Sequence, residues 1–455
     1  MREGRTTEDA KGRAAILGMA RSGRSAARLL LSEGYEVVAF DRDPPGETRA
    51  MWKEFEGLGS IEGVWGAHPS QLPEGVVLLV RSPGVPSDVP LLEEARKRRI
   101  PVVSELELAF RRIGEEIVAV TGTNGKSTTT AWIAHILREG GVAAVAAGNI
   151  GRALGDAVLE EPRGTRFVVE VSSFQLEDVD TFRPQVGVLL NITPDHLDRY
   201  RSMDDYARAK WNLFARQTRD DWVVTGAGLT PPAPLAGRPF PFGRIEGGHG
   251  VVEEDGRIVV VRDGVRHPLL PARDLPLPGP HNLQNAMAAV AAVSAHGLAP
   301  SRVTEGLKTF KALAHRMEPV GTWRGVLWVN DSKATNVDSM DVALRSYTRP
   351  VVLIAGGRDK GADFARVAPL VRQRVRAVVL LGEASSTIRG AWPGIEHRMV
   401  RDLEEAVRTA SELAVGGDVV LLSPGCASQD MFRDYQERGD LFREIARRLH
   451  GGSPS

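Results

Sequence analysis

Apolar positions along the chain fall into short runs separated by stretches with a helical rhythm. In the first third, Ala14–Met19, Tyr35–Asp41, Val76–Val80 and Pro101–Ser104 read as strands, and Ser25–Ser32 and Leu91–Arg98 as helices. Strands alternating with helices predict parallel βαβ units, because a parallel neighbour needs a crossover of about helix length. A second series starts at Glu116–Val120, passes through Thr121–Ser127 and continues as a helix to about Arg138. Further strands are predicted at Phe167–Val171, Val186–Ile192 and Trp222–Thr225, with Thr230–Pro241 as a Pro-rich loop. A hairpin over Gly250–Val261 turns at Asp255-Gly256, which supplies the positive φ a tight turn needs. The helix pattern His281–His296 leads into Val303–Phe310. The last third alternates again. Strands are expected at Val326–Val329, Pro350–Ala355, Val375–Leu381 and Asp418–Ser423, and helices at Met340–Tyr347, Phe364–Arg374, Leu403–Leu413 and Asp440–Leu449. The fold expected is α/β in three domains: a Rossmann-like domain over 1–112, a central P-loop ATPase-type domain with a mostly parallel sheet over 113–312, and a Rossmann-like α/β domain over 313–455.

Composition narrows the class. Among 455 residues, 58 Lys plus Arg balance 58 Asp plus Glu, which argues against a nucleic-acid binder. A single cysteine, Cys426, excludes an intrachain disulfide and fits a reducing, cytoplasmic setting. Met1–Gly12 has no apolar core of a signal peptide, and no apolar run reaches the roughly 20 residues of a membrane span. No membrane insertion is expected. Only nine of the 58 basic residues are lysines, at 11, 53, 97, 126, 210, 308, 311, 333 and 360. An amine can deprotonate and react where a guanidinium cannot, so lysines kept inside motifs deserve a functional reading.

The strongest motif is Ala119-Val-Thr-Gly122-Thr123-Asn124-Gly125-Lys126-Ser127-Thr128. A strand enters a glycine turn and a helix leaves at once, so backbone N–H groups and the helix dipole converge on a phosphate. Lys126 reaches β- and γ-phosphates and Ser127 offers a hydroxyl to Mg²⁺. Val120 occupies the position where the strict pattern has its first glycine. In the first domain, Gly18-Met-Ala20-Arg21-Ser22-Gly23 resembles a dinucleotide turn with Ala20 in place of the middle glycine, and Asp41 ends the next strand. Ser82-Pro-Gly84 follows a third strand and would line the same crevice. Glu170 ends an apolar strand, where its carboxylate can face Mg²⁺. Asn191–Arg199, with His196, packs polar groups after another strand, and Lys210 follows it. Gly148-Asn149-Ile-Gly151 reads as a tight turn able to approach a ligand. Asn282 and Asn285 place two amides on one helix face. In the third domain, Asn330–Asn336, Gly356–Gly361 and Ser423–Ser428 each follow a strand. They bring Lys333, Arg358 and Lys360 to one sheet edge, where convergent cations suit an anionic substrate and a transferring phosphate.

Together, Gly122–Thr128, Asn191–Arg199, His281–Asn285, His315-Arg316 and Asn330–Asn336 resemble the Mur ligase family of ATP-dependent amide-forming enzymes. Glu170–Glu177, Asp331–Asn336 and Ser423–Ser428 place the chain nearest to the members that add D-glutamate. The resemblance implies UDP-N-acetylmuramoyl-L-alanine and D-glutamate as substrates, ATP and two Mg²⁺ as cofactors, an acyl-phosphate intermediate, and a monomer. It implies that Ser127 and Glu170 hold one Mg²⁺, and His196 and a carbamylated Lys210 the other. Gly122 to Thr128, Asn282, Asn285, Arg316 and Asp331 correspond to ATP positions. Arg21, Ser22, Asp41, Arg42, Ser82 and Gly84 correspond to the uridine site, and Asn149, Ser172, Gln175 and His196 to the path of the sugar-peptide. Lys333 and Lys360 correspond to cations near phosphate and amino acid, with Thr335, Ser428 and Tyr435 beside the latter. Tyr435 stands where Phe is common in the family. The alternatives are another amide ligase of this fold, such as one extending a folate, a nucleotide-binding protein without turnover, and a dehydrogenase, which Ala20 and the P-loop disfavour.

Overall fold

The computed structural model describes residues 11–42, 53–66, 70–86, 88–195, 199–277, 279–359 and 361–451. The chain forms two compact units, Met1–Ala272 with Asn285–Lys308, and Arg273–Gln284 with Thr309–Ser455.

The first unit opens with a five-stranded sheet of β1 (Arg13–Leu17), β2 (Glu36–Asp41), β3 (Ile61–Trp65), β4 (Val76–Arg81) and β5 (Val102–Ser104), in the order β3-β2-β1-β4-β5. Every pairing is parallel, and the order is that of a doubly wound nucleotide-binding sheet. Helices cover both faces, so β1 is apolar and buried from Ala14 to Leu17 rather than alternating. A six-stranded parallel sheet follows: β6 (Ile117–Thr121), β7 (Ala144–Gly148), β8 (Arg166–Glu170), β9 (Val186–Leu189), β10 (Trp222–Thr225) and β11 (Arg238–Pro239), ordered β11-β10-β9-β6-β8-β7. One hydrophobic core runs from the first sheet into the second, from Leu29 and Leu30 through Leu106 and Leu154 to Leu176 and Phe182, and a separate core with Leu17, Phe40 and Leu79 lies on the other face of the first sheet. A four-stranded antiparallel sheet, β12 (Arg244–Glu246), β13 (His249–Glu254), β14 (Arg257–Arg262) and β15 (Val265–Pro271), contains the expected hairpin. Asp255 at φ 49° and Gly256 at φ 72° turn it, as the Asp-Gly pair requires.

The second unit holds β16 (Glu318–Trp323), β17 (Val326–Asn330), β18 (Val351–Gly356), β19 (Val375–Leu381), β20 (Glu396–Met399) and β21 (Val419–Leu422), ordered β16-β17-β21-β18-β19-β20. All its pairings are parallel except β16 with β17. Successive residues of the central strands enter separate cores, Val329, Leu353 and Leu421 on one face and Trp328, Ile354 and Leu422 on the other.

Several elements differ from the expectation. Strands β3 and β20 close sheet edges and are half-exposed, so IEGVW and EHRM carry no apolar run. Two further edge strands are β7, built mainly of Ala and Gly, and β16, which tolerates Pro319 because an edge residue can forgo a ladder bond. The Pro-rich segment includes the two-residue β11. The helix Ser385–Ala391 lies outside the expected elements, and the final helix starts at Tyr435, five residues before Asp440. Asp434 caps that helix, accepting from the Glu437 N–H at 2.8 Å.

Candidate active site

Parallel strands β10, β9, β6, β8 and β7 end along one edge, which gathers most of the central motifs. Strand β6, fully buried, delivers the chain into Gly122 at φ 154°, and Gly125 at φ 85° caps the helix Lys126–Glu139. A Cβ at Gly125 would stand 2.3 Å from the Asn285 side-chain oxygen, so the turn closes only on glycine. The loop is braced from β9. Asn191 accepts the Asn124 N–H at 2.9 Å and donates to the Asn124 carbonyl at 3.1 Å, and its own carbonyl accepts from Thr123 N at 3.0 Å. The Thr123 hydroxyl meets Tyr206 Oη at 3.1 Å. Lys126 Nζ donates to the carbonyls of Gly122 at 2.9 Å and Thr123 at 2.8 Å. Ser127 and Thr128 are buried in the first turn, and Asn285 accepts from Thr129 Oγ1 at 3.4 Å. Asn282 lies one turn earlier on the helix Pro280–Ala295.

Glu170 ends β8 in register with Val120, the residue entering the loop. It is buried, and Asn149 grips it twice: the backbone N–H meets the Glu170 carbonyl at 2.9 Å, and the side-chain amide meets Oε1 at 3.0 Å. Lys210, on the helix Met203–Trp211, is 1 % exposed and donates to the Gly122 carbonyl at 2.8 Å. Burial and the nearby Lys126 charge push its amine well below the ordinary lysine range, against the pull of Asp195 and Glu170. Ser127, Glu170 and Lys210 therefore meet at one loop. Hydroxyl and carboxylate oxygens are hard donors that suit Mg²⁺, while the amine could join them only after conversion to a carbamate. Among the described residues no three His, Cys, Asp or Glu cluster as a metal cage. His196 lies outside the described residues. Ser172 and Gln175 bond each other as a capping box at the start of the helix Ser173–Glu177.

At the first sheet, Gly18 takes φ 86°, and a Cβ on Gly23 would fall 1.8 Å from the Gly18 carbonyl. Ala20 between them is exposed with extended backbone at φ −68°, so the departure from glycine strains nothing. Asp41 accepts the Met19 N–H at 2.7 Å, and Ser82 Oγ donates to the Gly18 carbonyl at 2.7 Å. Both thus shape the turn. Ser22 is half-buried, and Arg42 and Gly84 are exposed. Arg21 takes a different partner, the turn after β7, at Gly151 O (2.8 Å) and Gly148 O (3.4 Å).

In the second unit β17, β21 and β18 are parallel neighbours, so the loops after them open along one edge as expected. Asp331 is buried and accepts from Ser423 Oγ at 2.9 Å and Met317 N at 3.1 Å, and burial raises its carboxyl to about 7. Arg316 lies between His315 and Met317, both at positive φ (63° and 45°), a costly conformation of the kind that gathers at functional sites. Lys333 Nζ stands 5.3 Å from the centroid of the Tyr435 ring. Thr335 is half-buried on the same loop. The Ser428 hydroxyl is buried and finds no hydrogen-bond partner among the described residues. Lys360 lies outside the described residues, and Arg358 is anchored through its N–H to the Ala427 carbonyl at 2.9 Å.

Sequence reasoning missed two groups. Arg438 is 1 % exposed and bonds Ser332 Oγ at 3.0 Å, Ser332 O at 2.8 Å and the Cys426 carbonyl at 3.4 Å, joining two of the three loops from beneath. Arg81, also buried, bonds Glu177 at 2.8 Å and Asp178, and Tyr200 bonds Glu177 at 2.7 Å.

This geometry has close relatives. Over 455 residues the chain is 43 % identical to a UDP-N-acetylmuramoylalanine--D-glutamate ligase of Salinibacter ruber, with 96 % of this chain and 98 % of that protein covered. The chain belongs to the Mur ligase family. A Mur ligase middle-domain model matches residues 120–229, starting where β6 enters the phosphate loop, and a Mur ligase glutamate-ligase-domain model matches 315–426. A protein of the same name from Pelotomaculum thermopropionicum is 42 % identical, with 96 % of this chain and 98 % of that one covered. The solved UDP-N-acetylmuramate-alanine ligase of Thermotoga maritima shares the fold at TM-score 0.61 and 22 % identity, covering 96 % of this chain and 100 % of that one. As a Mur ligase, the chain is an ATP-dependent, amide-bond-forming enzyme.

Proposed function

We propose that this Mur ligase joins D-glutamate to UDP-N-acetylmuramoyl-L-alanine in the synthesis of a peptidoglycan precursor. The observation that carries the chemistry is the buried Lys210 amine, 2.8 Å from a carbonyl of the phosphate loop. Full-length similarity to two ligases of that name supports the substrate pair.

A carboxylate is a poor acylating agent, so activation comes first. One oxygen of the alanyl carboxylate attacks the γ-phosphorus of ATP, the bond to the β-phosphate oxygen breaks, and ADP leaves. The D-glutamate nitrogen then attacks the acyl carbon and gives up a proton, and phosphate departs as the carbon–oxygen bond breaks. Lys126 exchanges the two loop carbonyls it now holds for phosphate oxygens. Asn282, Asn285, Arg316 and Asp331 hold the nucleotide. Lys333 and Lys360 offset charge where two anions meet, and Thr335, Ser428 and Tyr435 seat the amino acid. Ser127 and Glu170 hold one Mg²⁺, with Lys210, as a carbamate, and His196 serving a second. The chemistry Mg²⁺ supplies when bound is charge neutralisation between those anions. A depressed amine pKa favours the neutral form of Lys210, the form that adds CO₂ and loses one proton to become a carboxylate-like donor. In this reading 1–112, 113–312 and 313–455 act as uridine, nucleotide and amino-acid modules of a cytoplasmic monomer.

The test is phosphate release from ATP with UDP-N-acetylmuramoyl-L-alanine and, in turn, D-glutamate, L-glutamate and L-lysine. Turnover is expected with D-glutamate alone. Preference for another amine, or none consumed with any, overturns the assignment. Lys210→Arg fixes a permanent cation at this site and cannot form a carbamate. Activity should fall by at least about 100-fold, on the scale of losing a catalytic electrostatic group, and the carbamate signal from ¹³C-labelled bicarbonate should vanish. Unchanged turnover would show that the amine's reactivity is unused.

A further inference from the structure

Arg21 opens the helix Arg21–Ser32, directly after the Gly18–Ala20 turn of the first sheet. Its two terminal nitrogens reach away from that turn to the carbonyls of Gly151 (2.8 Å) and Gly148 (3.4 Å). Those carbonyls bracket Asn149, whose N–H and side-chain amide hold Glu170 at 2.9 and 3.0 Å. The bracketed turn has little freedom. Gly148 sits at φ 96° with a would-be Cβ 2.5 Å from the Glu170 carbonyl, and its N–H closes on Arg152 O at 2.9 Å. Behind it, Gly155 lets two helices touch: a Cβ there would lie 2.4 Å from Leu29 Cδ1 and 2.6 Å from Ser25 Oγ. One guanidinium thus spans from the first residue after the nucleotide turn to the turn that grips the Glu170 carboxylate.

We propose that Arg21 is a positioning residue that sets the spacing between the nucleotide turn of the first sheet and the Asn149–Glu170 turn of the second. A substrate anchored by its uridine end would then present its carboxylate at the correct distance from Glu170. The inference rests on the substrate reading above. It differs from the resemblance-based expectation that Arg21 is a uridine-site ligand, because the two carbonyls it binds lie at the end of β7 and in the turn after it. The planar fork matters: an ammonium is a point charge that would favour one carbonyl over the pair.

The test uses the full-length enzyme with Arg21→Met and Arg21→Lys. Direct calorimetric binding of UDP-N-acetylmuramoyl-L-alanine is measured beside steady-state kinetics. Arg21→Met should leave the dissociation constant within about threefold. It should lower kcat by about 10- to 100-fold, the range expected when a reacting group is misplaced by around 1 Å. Arg21→Lys should lie between, and guanidinium ion added far below denaturing levels should partly restore kcat of Arg21→Met. Weakened binding with kcat retained makes Arg21 a substrate ligand and overturns the proposal. So does no change in either quantity, or a loss that guanidinium does not repair. A wild-type enzyme that consumes no ATP with this substrate pair refutes the substrate reading instead, before any variant is compared.

Discussion

Single residues set the glycine turns at the strand ends, and the most demanding is Gly23. A methyl there would lie 1.8 Å from the Gly18 carbonyl, an atom fixed by the N–H of Gly18 bonding Phe40 O at 2.7 Å and by Ser82 Oγ. Backbone cannot yield as a side chain would. Gly23→Ala should therefore destabilise the first sheet by more than about 3 kcal/mol, beyond the usual range for a point change. Urea unfolding followed by the near-ultraviolet signal of Trp65 would check it, and a loss under 1 kcal/mol would mean that the helix start relaxes easily. By contrast Ala20, the one departure from the three-glycine pattern, is exposed and extended, so glycine is dispensable there. This much was legible. Gly122, Gly125, Lys126, Glu170 and Lys210 could be picked out because glycine turns after apolar strands and buried-motif lysines are local patterns. The partner of Arg21 was not, since it lies about 130 residues away in sequence.

At the level of elements, placing three loops on one edge of the second-unit sheet needed only the rule that parallel strands share their carboxyl ends. What supports those loops was hidden. The helix Tyr435–His450 buries Phe442, Ile445 and Ala446, and the same stripe one turn earlier falls on Arg438 and Gly439. The helix expected from the sequence began only at Asp440, and a charged residue beside an apolar stripe is ordinarily read as surface. Arg438 is buried with no carboxylate in salt-bridge reach among the described residues, and desolvation lowers its pKa to about 10. A buried charge costs several kcal/mol unless hydrogen bonds offset it, and here all of them go to Ser332 and Cys426. Its fork therefore fixes how the Asp331–Thr335 and Cys426–Ser428 loops face each other. Arg438→Lys keeps the charge and loses the fork. The KM for the amine donor should rise about tenfold, equivalent to one good hydrogen bond, with the KM for the UDP-sugar unchanged. Equal changes in both would show general loosening rather than loop placement.

Across the whole molecule, the feature least visible in sequence is how the first unit closes on itself. Glu105 is fully buried between the helices Arg21–Ser32 and Leu154–Glu160, where Oε1 accepts Ser25 Oγ at 3.0 Å and Gly155 N at 2.6 Å. These partners lie 80 and 50 residues away, so no local pattern announces the contact. Two hydrogen bonds do not repay desolvation of the charge, and burial raises the carboxyl from an ordinary 4.5 to about 7. The native state therefore keeps a proton that the unfolded chain loses above pH 4.5. Linkage fixes the sign: this group's contribution to stability is fully present below about 4.5, declines as pH rises towards 7, and is flat above it. The difference amounts to about 3 kcal/mol at most, from 1.36 kcal/mol per unit. Glu105→Gln keeps the accepting oxygen and cannot ionise. It should match the wild type near pH 5 and exceed it by about 1–3 kcal/mol at pH 8, read from hydrogen exchange of residues 21–32 and 154–160 corrected for intrinsic rates. Asp331, also raised to about 7, imposes a pH dependence of the same sign on the second unit that this substitution leaves in place. Segment-resolved exchange separates the two. If the profiles of variant and wild type run parallel across pH 5–8, the junction admits water and Glu105 ionises there without cost.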